Sequence, residues 1–375
     1  MYKTYQYRVY PTKEQEGKME YLLRVCKRLY NRLLEHCNEH YKETGKDLSG
    51  FDKKTIVDGW RRESEELQNL SSTQCRDVAD RLHKAYDNFF VRIEKGEKPG
   101  FPKFRKGNEY RTFGVKQWGN CKVIDDSKRG KVRILGVGEL KIVFHRPLEG
   151  ETKTWNITKT GTDEWYIGFA CDIGEAEKLP QTGNKVGVDL GITNLAITSE
   201  GEFYPKLEVF RIAEKKIKTA QREVSRRKKG SNRRKKSILK LAKLHEKVAR
   251  QREWLHRHVA NDILEKYDWI AIEDLKVKNM VKNHHLAKSI SDAGWGSFVN
   301  HLESKANQTG KYVVKVDPRN TSQICSCCGV IVKKKLSERT HSCTECGLVI
   351  DRDVNAAINI LQRSSEKYSD INEAM

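Results

Sequence analysis

Residues 187–197 read GVDLGITNLAI, a β-like run of apolar side chains that carries one acid, Asp189, where an acid is costly to bury. Two further stretches share the anomaly. WIAIEDL at 269–275 runs an apolar strand pattern into Glu273, and DRDVNAAINI at 351–360 sets Asp353 just ahead of an Ala-rich helical start. Working outward from 187–197, KVGVDLGI, LAITSEG and EFYPKLEVF read as three successive strands, the first hairpin turning near Thr193 and Asn194. A helical stretch over 210–266 follows, interrupted around Gly230, Ser231 and Asn232. Then come the strand DWIAIEDL, a helix SISDAGWGSFVNHLESKAN with Ser291 as its expected N-cap, the strand KYVVKV, a cysteine cluster and the helix VNAAINILQR.

That order, β-β-β-α-β-α-β and a last helix behind an insert, is the order of an RNase H-like α/β domain. In such a sheet the first strand, the fourth strand and the last helix are neighbours. Asp189, Glu273 and Asp353 are therefore expected to converge as catalytic ligands of two Mg²⁺ ions, a hard cation that prefers carboxylate oxygens and keeps waters for chemistry. Two such ions can activate a water and stabilise the leaving oxygen of a phosphodiester. Asp351 and Asp274 are the competing acids, read as capping or supporting groups. Ala356 and Ala357 are small enough to let the last helix approach the sheet closely.

The cysteine cluster is the most specific motif. CSCCG and CTECG give C-x₂-C, fourteen residues, then C-x₂-C through Cys325, Cys328, Cys343 and Cys346. Four thiolates at this spacing suit one tetrahedral, structural Zn²⁺. Gly329 and Gly347 let the backbone curl back towards the sulfurs. Cys327 falls outside the pairing and is expected to be a free thiol, with His341 as an alternative ligand. The other five cysteines are scattered, which does not resemble a secreted disulfide framework and points to a reducing cytosol.

Charge indicates the partner. The net charge is +21 over 375 residues, which calls for a polyanion. It is unevenly spread: residues 211–257 hold 19 Lys and Arg against 4 Glu, a net +15. Arg226, Arg227, Lys228, Lys229, Arg233, Arg234, Lys235 and Lys236 form its densest part and are candidate phosphate contacts. A nuclear-localisation run or a solvated helix face are the plainer alternatives. Ile238, Leu241, Leu244 and Val248 are expected to pack this segment down on the sheet. No apolar run is long enough for a membrane span, and the N-terminal MYKTYQYRVYPTKEQ has no apolar core of a signal peptide.

The N-terminal half begins with an alternating strand at 2–10. Helices follow over about 13–41, after Asp52, and from Ser71 or Ser72. Gln74 and Arg76 fall in the first turn of that third helix, a natural place to read base edges or hold phosphate. At 95–107, KGEKPGFPKFRKG stops the helices, and Lys103, Arg105 and Lys106 are candidate phosphate contacts. Residues 110–171 alternate repeatedly and read as a small antiparallel β-barrel or sandwich, which the strand at 2–10 could complete. Trp60, Phe113 and Trp118 could stack on bases or be buried.

Several of these stretches, YRVYPTKEQ, GFPKF, GVDLGITNLA, IAIEDLKVKNM and TSQICSCCG…HSCTECGLVIDRDVNAAINIL, together resemble the TnpB proteins of insertion sequences over nearly the whole chain. The resemblance implies an RNA-guided DNA endonuclease related to compact type V CRISPR effectors. It implies two lobes: a wedge-like β-barrel (1–10 and 97–175) with a helical recognition insert (11–96), and a RuvC-like nuclease domain (183–320 and 351–364) with a zinc-bearing target-nucleic-acid-binding insert (321–350). A disordered tail (365–375) would follow. It places the family's catalytic Asp, Glu and Asp on Asp189, Glu273 and Asp353. It implies a guide RNA from the transposon end, double- and single-stranded target DNA read by base pairing beside a short protein-read motif, a monomeric protein in the ribonucleoprotein, and a cytoplasmic, nucleoid-associated location. The alternatives are a guide-directed DNA-binding regulator without nuclease activity and a zinc-ribbon RNA-binding protein.

Overall fold

Alternation builds the first sheet. Tyr5, Tyr7 and Val9 of β1 (Tyr2–Tyr10) are buried while their neighbours along the strand face outward, the period-2 pattern of a strand with one covered face. The computed structural model describes residues 1–107, 109–115, 119–175, 178–335 and 338–365, and the chain divides into two compact units, Met1–Glu175 and Ala176–Met375.

In the first unit, four helices interrupt the sheet after β1: α1 (Lys13–Thr44), α2 (Gly50–Glu63), α3 (Glu65–Gln68) and α4 (Ser72–Glu94). Six strands follow: β2 (Thr112–Val115), β3 (Cys121–Asp125), β4 (Lys131–Ile134), β5 (Gly138–Val143), β6 (Glu151–Lys159) and β7 (Trp165–Asp172). The sheet order is β2-β6-β7-β1-β5-β4-β3, antiparallel throughout. The N-terminal strand thus sits at the centre, and the helices are an insertion in the sheet's connectivity. No ladder joins β2 to β3 among the described residues, so strand pairing there gives one open sheet where a small barrel or sandwich is expected. The expected start of the second helix shifts as well. Ser49 caps α2, and Asp52 is its N3 partner in a capping box.

The second unit has β8 (Lys185–Asp189), β9 (Asn194–Thr198), β10 (Phe203–Pro205), α5 (Val209–Arg226), α6 (Asn232–Lys266), β11 (Trp269–Glu273), α7 (Val277–Met280), α8 (His284–Ala293), α9 (Trp295–Thr309), β12 (Tyr312–Val316), β13 (Thr340–Ser342), β14 (Val349–Asp351) and α10 (Arg352–Arg363). Its main sheet runs β10-β9-β8-β11-β12; β9 is antiparallel to β8 and β10, whereas β8, β11 and β12 are parallel. Val186 and Val188, Ile270 and Ile272 point into a core closed by Val259, Ile263 and Leu264 of α6 and Trp295, Phe298 and Leu302 of α9. The alternate residues, Gly187 and Ala271, face α10 on the other side.

Two helical expectations need correction. The stretch read as one helix from Ser291 is α8 and α9, broken at Gly294, whose φ of +65° ends one helix and begins the next. Ser291 lies inside α8 and caps nothing. On α6, Leu241, Leu244 and Val248 pack against Val209, Ala213 and Ile217 of α5, not against the sheet, and Ile238 is exposed. The basic segment is thus a helical hairpin held by its own apolar seam. Among the described residues no helix is long and apolar enough to cross a membrane. Residues 366–375, the bulk of the expected tail, lie outside the described residues.

Candidate functional site: three carboxylates beside a four-cysteine module

Strand period decides which acids meet. Gly187 and Asp189 share the α10-facing side of β8, and Ala271 and Glu273 share that side of β11. The last registered pair between these strands is Val188 with Ile272; Asp189 and Glu273 come one residue later, side by side at the sheet's end. Parallel neighbours are about 4.8 Å apart, so two acids there repel unless something positive intervenes. Asp353 enters from above as the second residue of α10. The helix can come close because β8 has no side chain beneath it: a Cβ on Gly187 would lie 1.9 Å from Ala357 O and 2.8 Å from Leu361 N. Ala356 and Ala357 are buried against the sheet, as expected; the matching gap at Gly187 was signalled only by a glycine inside a buried strand. Gly187→Ala should therefore displace α10 and cost about 3 kcal/mol or more, as an overpacked backbone contact does. Denaturant unfolding of the purified chain would measure it, and a change below 1 kcal/mol, on the order of a surface substitution, would contradict this packing.

The electrostatics of the three acids differ. Burial, then the neighbouring charges of Glu273 and Asp353, push the Asp189 carboxyl well above the usual carboxylate range, with Arg352 pulling the other way. Burial also raises Glu273, offset by the hydrogen bond from Thr321 and the charge of Arg363. The Thr321 hydroxyl donates to Glu273 Oε1 at 2.5 Å. Asp353 is held by two arginines: Arg352 donates to Oδ1 at 2.8 and 2.9 Å, and Arg339 to Oδ2 at 3.1 Å. Arg339 also donates to Thr193 Oγ1 at 3.1 Å, in the turn after β8. Asp351 is the N-cap of α10 and accepts from Asp353 N at 2.8 Å and Val354 N at 3.1 Å, the capping role read from the sequence. Nothing in the local sequence pattern marks Thr321, Arg339 or Arg352; each acts through a contact between segments apart in the chain or through a helix geometry that composition does not reveal.

The four cysteines form a tighter set. The Sγ atoms of Cys325, Cys328, Cys343 and Cys346 all lie within 4.8 Å of one another, the one such group of His, Cys, Asp or Glu ligand atoms among the described residues. Cys325 and Cys346 are 3.6 Å apart, as are Cys328 and Cys343. That separation matches tetrahedral sulfurs about 2.3 Å from a central Zn²⁺. Each knuckle closes in the same way. Gly329 N donates to Cys325 O at 2.9 Å and Gly347 N to Cys343 O at 3.0 Å, both glycines having φ in the left-handed region. Burial opposes ionisation of Cys325, but the amides of Cys328 and Cys327 together with His341 and Cys346 outweigh it and lower its pKa. Cys327 is exposed and outside the set. His341 is buried with its Nδ1 against Lys334 Nζ and is not part of the four-ligand set.

The candidate nucleic-acid residues divide by exposure. Arg226, Arg227, Lys228, Lys229, Arg233, Lys235 and Lys236 are exposed around the α5–α6 turn, and Arg234 is half-buried. Lys103, Arg105 and Lys106 are exposed as well. Asn31 fixes the backbone of Arg105 by two hydrogen bonds of 2.8 and 3.0 Å. Gln74 does not face a ligand: it is buried, and its Oε1 accepts from Ser71 N at 2.9 Å as the N3 member of the α4 capping box. Arg76 is exposed and paired with Asp58 at 2.7 Å. Phe113 is buried in the core, Trp60 is half-buried under the guanidinium of Arg32, and Trp118 lies outside the described residues.

Known proteins resemble the chain along most of its length. Family profiles described as "Helix-turn-helix domain" (HTH_OrfB_IS605), "Probable transposase" (OrfB_IS605) and "Cas12f1-like, TNB domain" match residues 1–46, 168–284 and 295–360. The first of these covers β1 and α1, a strand and one 32-residue helix rather than two helices and a turn. A "Putative RNA-guided DNA endonuclease" of Streptomyces pristinaespiralis is 31% identical over 96% of this chain and 88% of its own. The "Putative RNA-guided DNA endonuclease InsQ" of Escherichia coli K12 is 28% identical over 95% and 91%. Among solved structures, the mini-RNA-guided endonuclease CRISPR-Cas_phi3 superposes with a TM-score of 0.58 at 11% identity, over 97% of this chain and 92% of that one, a likeness of fold. The chain belongs to the TnpB family, the OrfB_IS605 group of transposon-associated proteins.

Proposed function

We propose that the chain is an RNA-guided DNA endonuclease that hydrolyses phosphodiester bonds at Asp189, Glu273 and Asp353. The observation that carries this reading is the convergence of three acids from β8, β11 and α10 at one end of a sheet. Asp189 there is raised by burial and by both of its acidic neighbours, which is the electrostatic state a divalent cation relieves. The oxygen-only donor set fits Mg²⁺ rather than a softer metal. When bound, two such ions would supply Lewis acidity and a nucleophilic water at neutral pH. The chain's own residues provide the rest. Asp189 and Glu273 hold their oxygens at the strand ends, Thr321 fixes one oxygen of Glu273, and the N-terminus of α10 presents Asp353. Arg339 and Arg352 occupy Asp353 in this structure, so their bonds must be shared or exchanged when a cation binds.

The strand order β10-β9-β8-β11-β12, with β10, β9 and β8 antiparallel in succession and β11 and β12 running parallel to β8, supports an RNase H-like, RuvC-like nuclease domain. On this reading residues 183–320 and 351–364 form that domain and 321–350 its zinc-bearing, target-binding insert. Residues 1–10 and 97–175 are the wedge and 11–96 the recognition helices. The exposed cations of the α5–α6 hairpin contact phosphates of the guide RNA or the target DNA, with the salt dependence that phosphate contacts impose. The guide comes from the transposon end, and a single copy of the chain acts in the ribonucleoprotein.

The test is to purify the chain with the RNA it retains, sequence that RNA, and offer DNA that matches it beside randomised flanks. Cutting of matched targets only, dependent on Mg²⁺ and on a short flanking motif, is the expected result. Guide-dependent binding without cutting in Mg²⁺ would favour a DNA-binding regulator, and RNA binding with no guide-dependent DNA affinity would sink both.

A further inference from the structure

The loop that leaves β12 and enters the first cysteine knuckle, residues 317–326, touches two of the three carboxylate-bearing elements. Thr321 is 4% exposed, and its hydroxyl is the donor on Glu273 Oε1. Its carbonyl accepts from Asn359 Nδ2 at 2.8 Å, and the same amide nitrogen donates to Ile324 O at 2.7 Å. One turn nearer the start of α10, Asn355 donates to Ile324 O at 2.8 Å and accepts from Ser326 N at 3.0 Å. Ser326 follows Cys325 directly. At the other end of the helix Arg363 donates to Asp317 O at 2.6 Å. Asn355 and Asn359 are both buried, and a buried amide in a helix is costly unless its polar atoms are used. Here they are spent on main-chain groups of the loop, so the face of α10 below Asp353 is shaped to read that loop's backbone.

We infer that Thr321 is a positioning residue for the carboxylate site and that the first cysteine knuckle is a working part of it: Thr321 sets Glu273, while Asn355 and Asn359 set the helix that carries Asp353. Divalent cation binding at the carboxylates then depends on the knuckle being folded by its own metal. The physical reason is preorganisation. A glutamate with one oxygen fixed by a buried hydroxyl has less rotamer freedom to lose when it takes a cation, and groups behind metal ligands commonly govern affinity. The inference rests on the carboxylates being a metal site, which the experiment separates from it.

The zinc-loaded full chain is titrated with Mn²⁺ and free Mn²⁺ is followed by electron paramagnetic resonance. Asp189→Ala serves as the reference for the carboxylate site. Wild type should bind Mn²⁺ in a manner lost in Asp189→Ala. Thr321→Val should weaken that binding by about tenfold or more with zinc content and melting retained. Thr321→Ser, which keeps the hydroxyl, should stay close to wild type. Equal Mn²⁺ affinity in Thr321→Val and wild type overturns the inference and leaves the metal site standing; no Asp189-dependent binding in wild type overturns both. Hydrogen exchange on the wild-type chain provides an arm that needs no variant. Removing zinc should speed exchange at Thr321–Cys325 and also in the first turn of α10, and acceleration confined to the knuckles would overturn the coupling.

Discussion

Asp189→Ala is expected to lower cleavage of a guide-matched DNA by about a thousandfold or more, the scale on which removal of a central catalytic group acts, while RNA and target binding stay near wild type. The reason is positional. Glu273 and Asp353 both raise the Asp189 carboxyl, so on the proposed reading its loss removes one of the three oxygens that a cation there would use. The phosphate contacts proposed for binding lie on other elements. Asp353→Asn should be similarly severe. Asp351→Asn is the contrasting control, because Asp351 accepts the two amides that open α10, and asparagine caps a helix about as well as aspartate. Single-turnover cleavage and equilibrium binding at one fixed salt concentration distinguish these outcomes. Full cutting by Asp189→Ala would falsify the assignment of the triad.

Removing the zinc, by a strong chelator or by Cys343→Ser, is expected to abolish the cooperative melting of the segment between β12 and α10 and to reduce cleavage to the level of the carboxylate variants. Two three-residue strands and four cysteines bury too little apolar surface to hold a fold. A structural Zn²⁺ site supplies about 10–16 kcal/mol in small zinc-finger peptides, so metal binding is expected to provide nearly all of the module's stability. The consequence reaches the nuclease site because Arg339, which bonds Asp353 and Thr193, lies between the two knuckles, and the loop holding Glu273 leads into the first. Metal analysis should find about one zinc per chain, and calorimetry with and without chelator should show a lost or lowered transition. A zinc content far below that, or an unchanged melt, would contradict the module as described.

Glu273 and Asp189 were legible from local pattern, because each is an acid within or at the end of a continuous apolar run that reads as a buried strand. The cysteine spacing was legible for a similar local reason, each knuckle being closed by bonds within five residues. The strand at 2–10 and the basic hairpin's break near Gly230 were equally local. Other readings failed where the deciding contact was distant or competing. Ser291 looked like a cap until the left-handed backbone of Gly294 ended the helix. Gln74 looked like a reader of bases but satisfies its own helix's N-terminus. Ile238, Leu241 and Leu244 looked sheet-facing, yet helical periodicity gives an apolar face without naming its partner: Leu241 and Leu244 pack on α5, and Ile238 stays exposed.

By itself, then, the sequence determined most of the elements and the four clustered cysteines, because each is encoded in spacings of a few residues, and it marked three acids at the ends of apolar runs or helices. Only the tertiary structure decided that Gly187 admits α10 to the sheet, that Asp353 comes with two arginines, and that Thr321, Asn355 and Asn359 tie the cysteine module to Glu273. Most of those pairs are separated by tens of residues or more, and no periodicity records them; they exist because parallel pairing of β8 with β11 and the close seat of α10 bring those segments to the same end of one sheet.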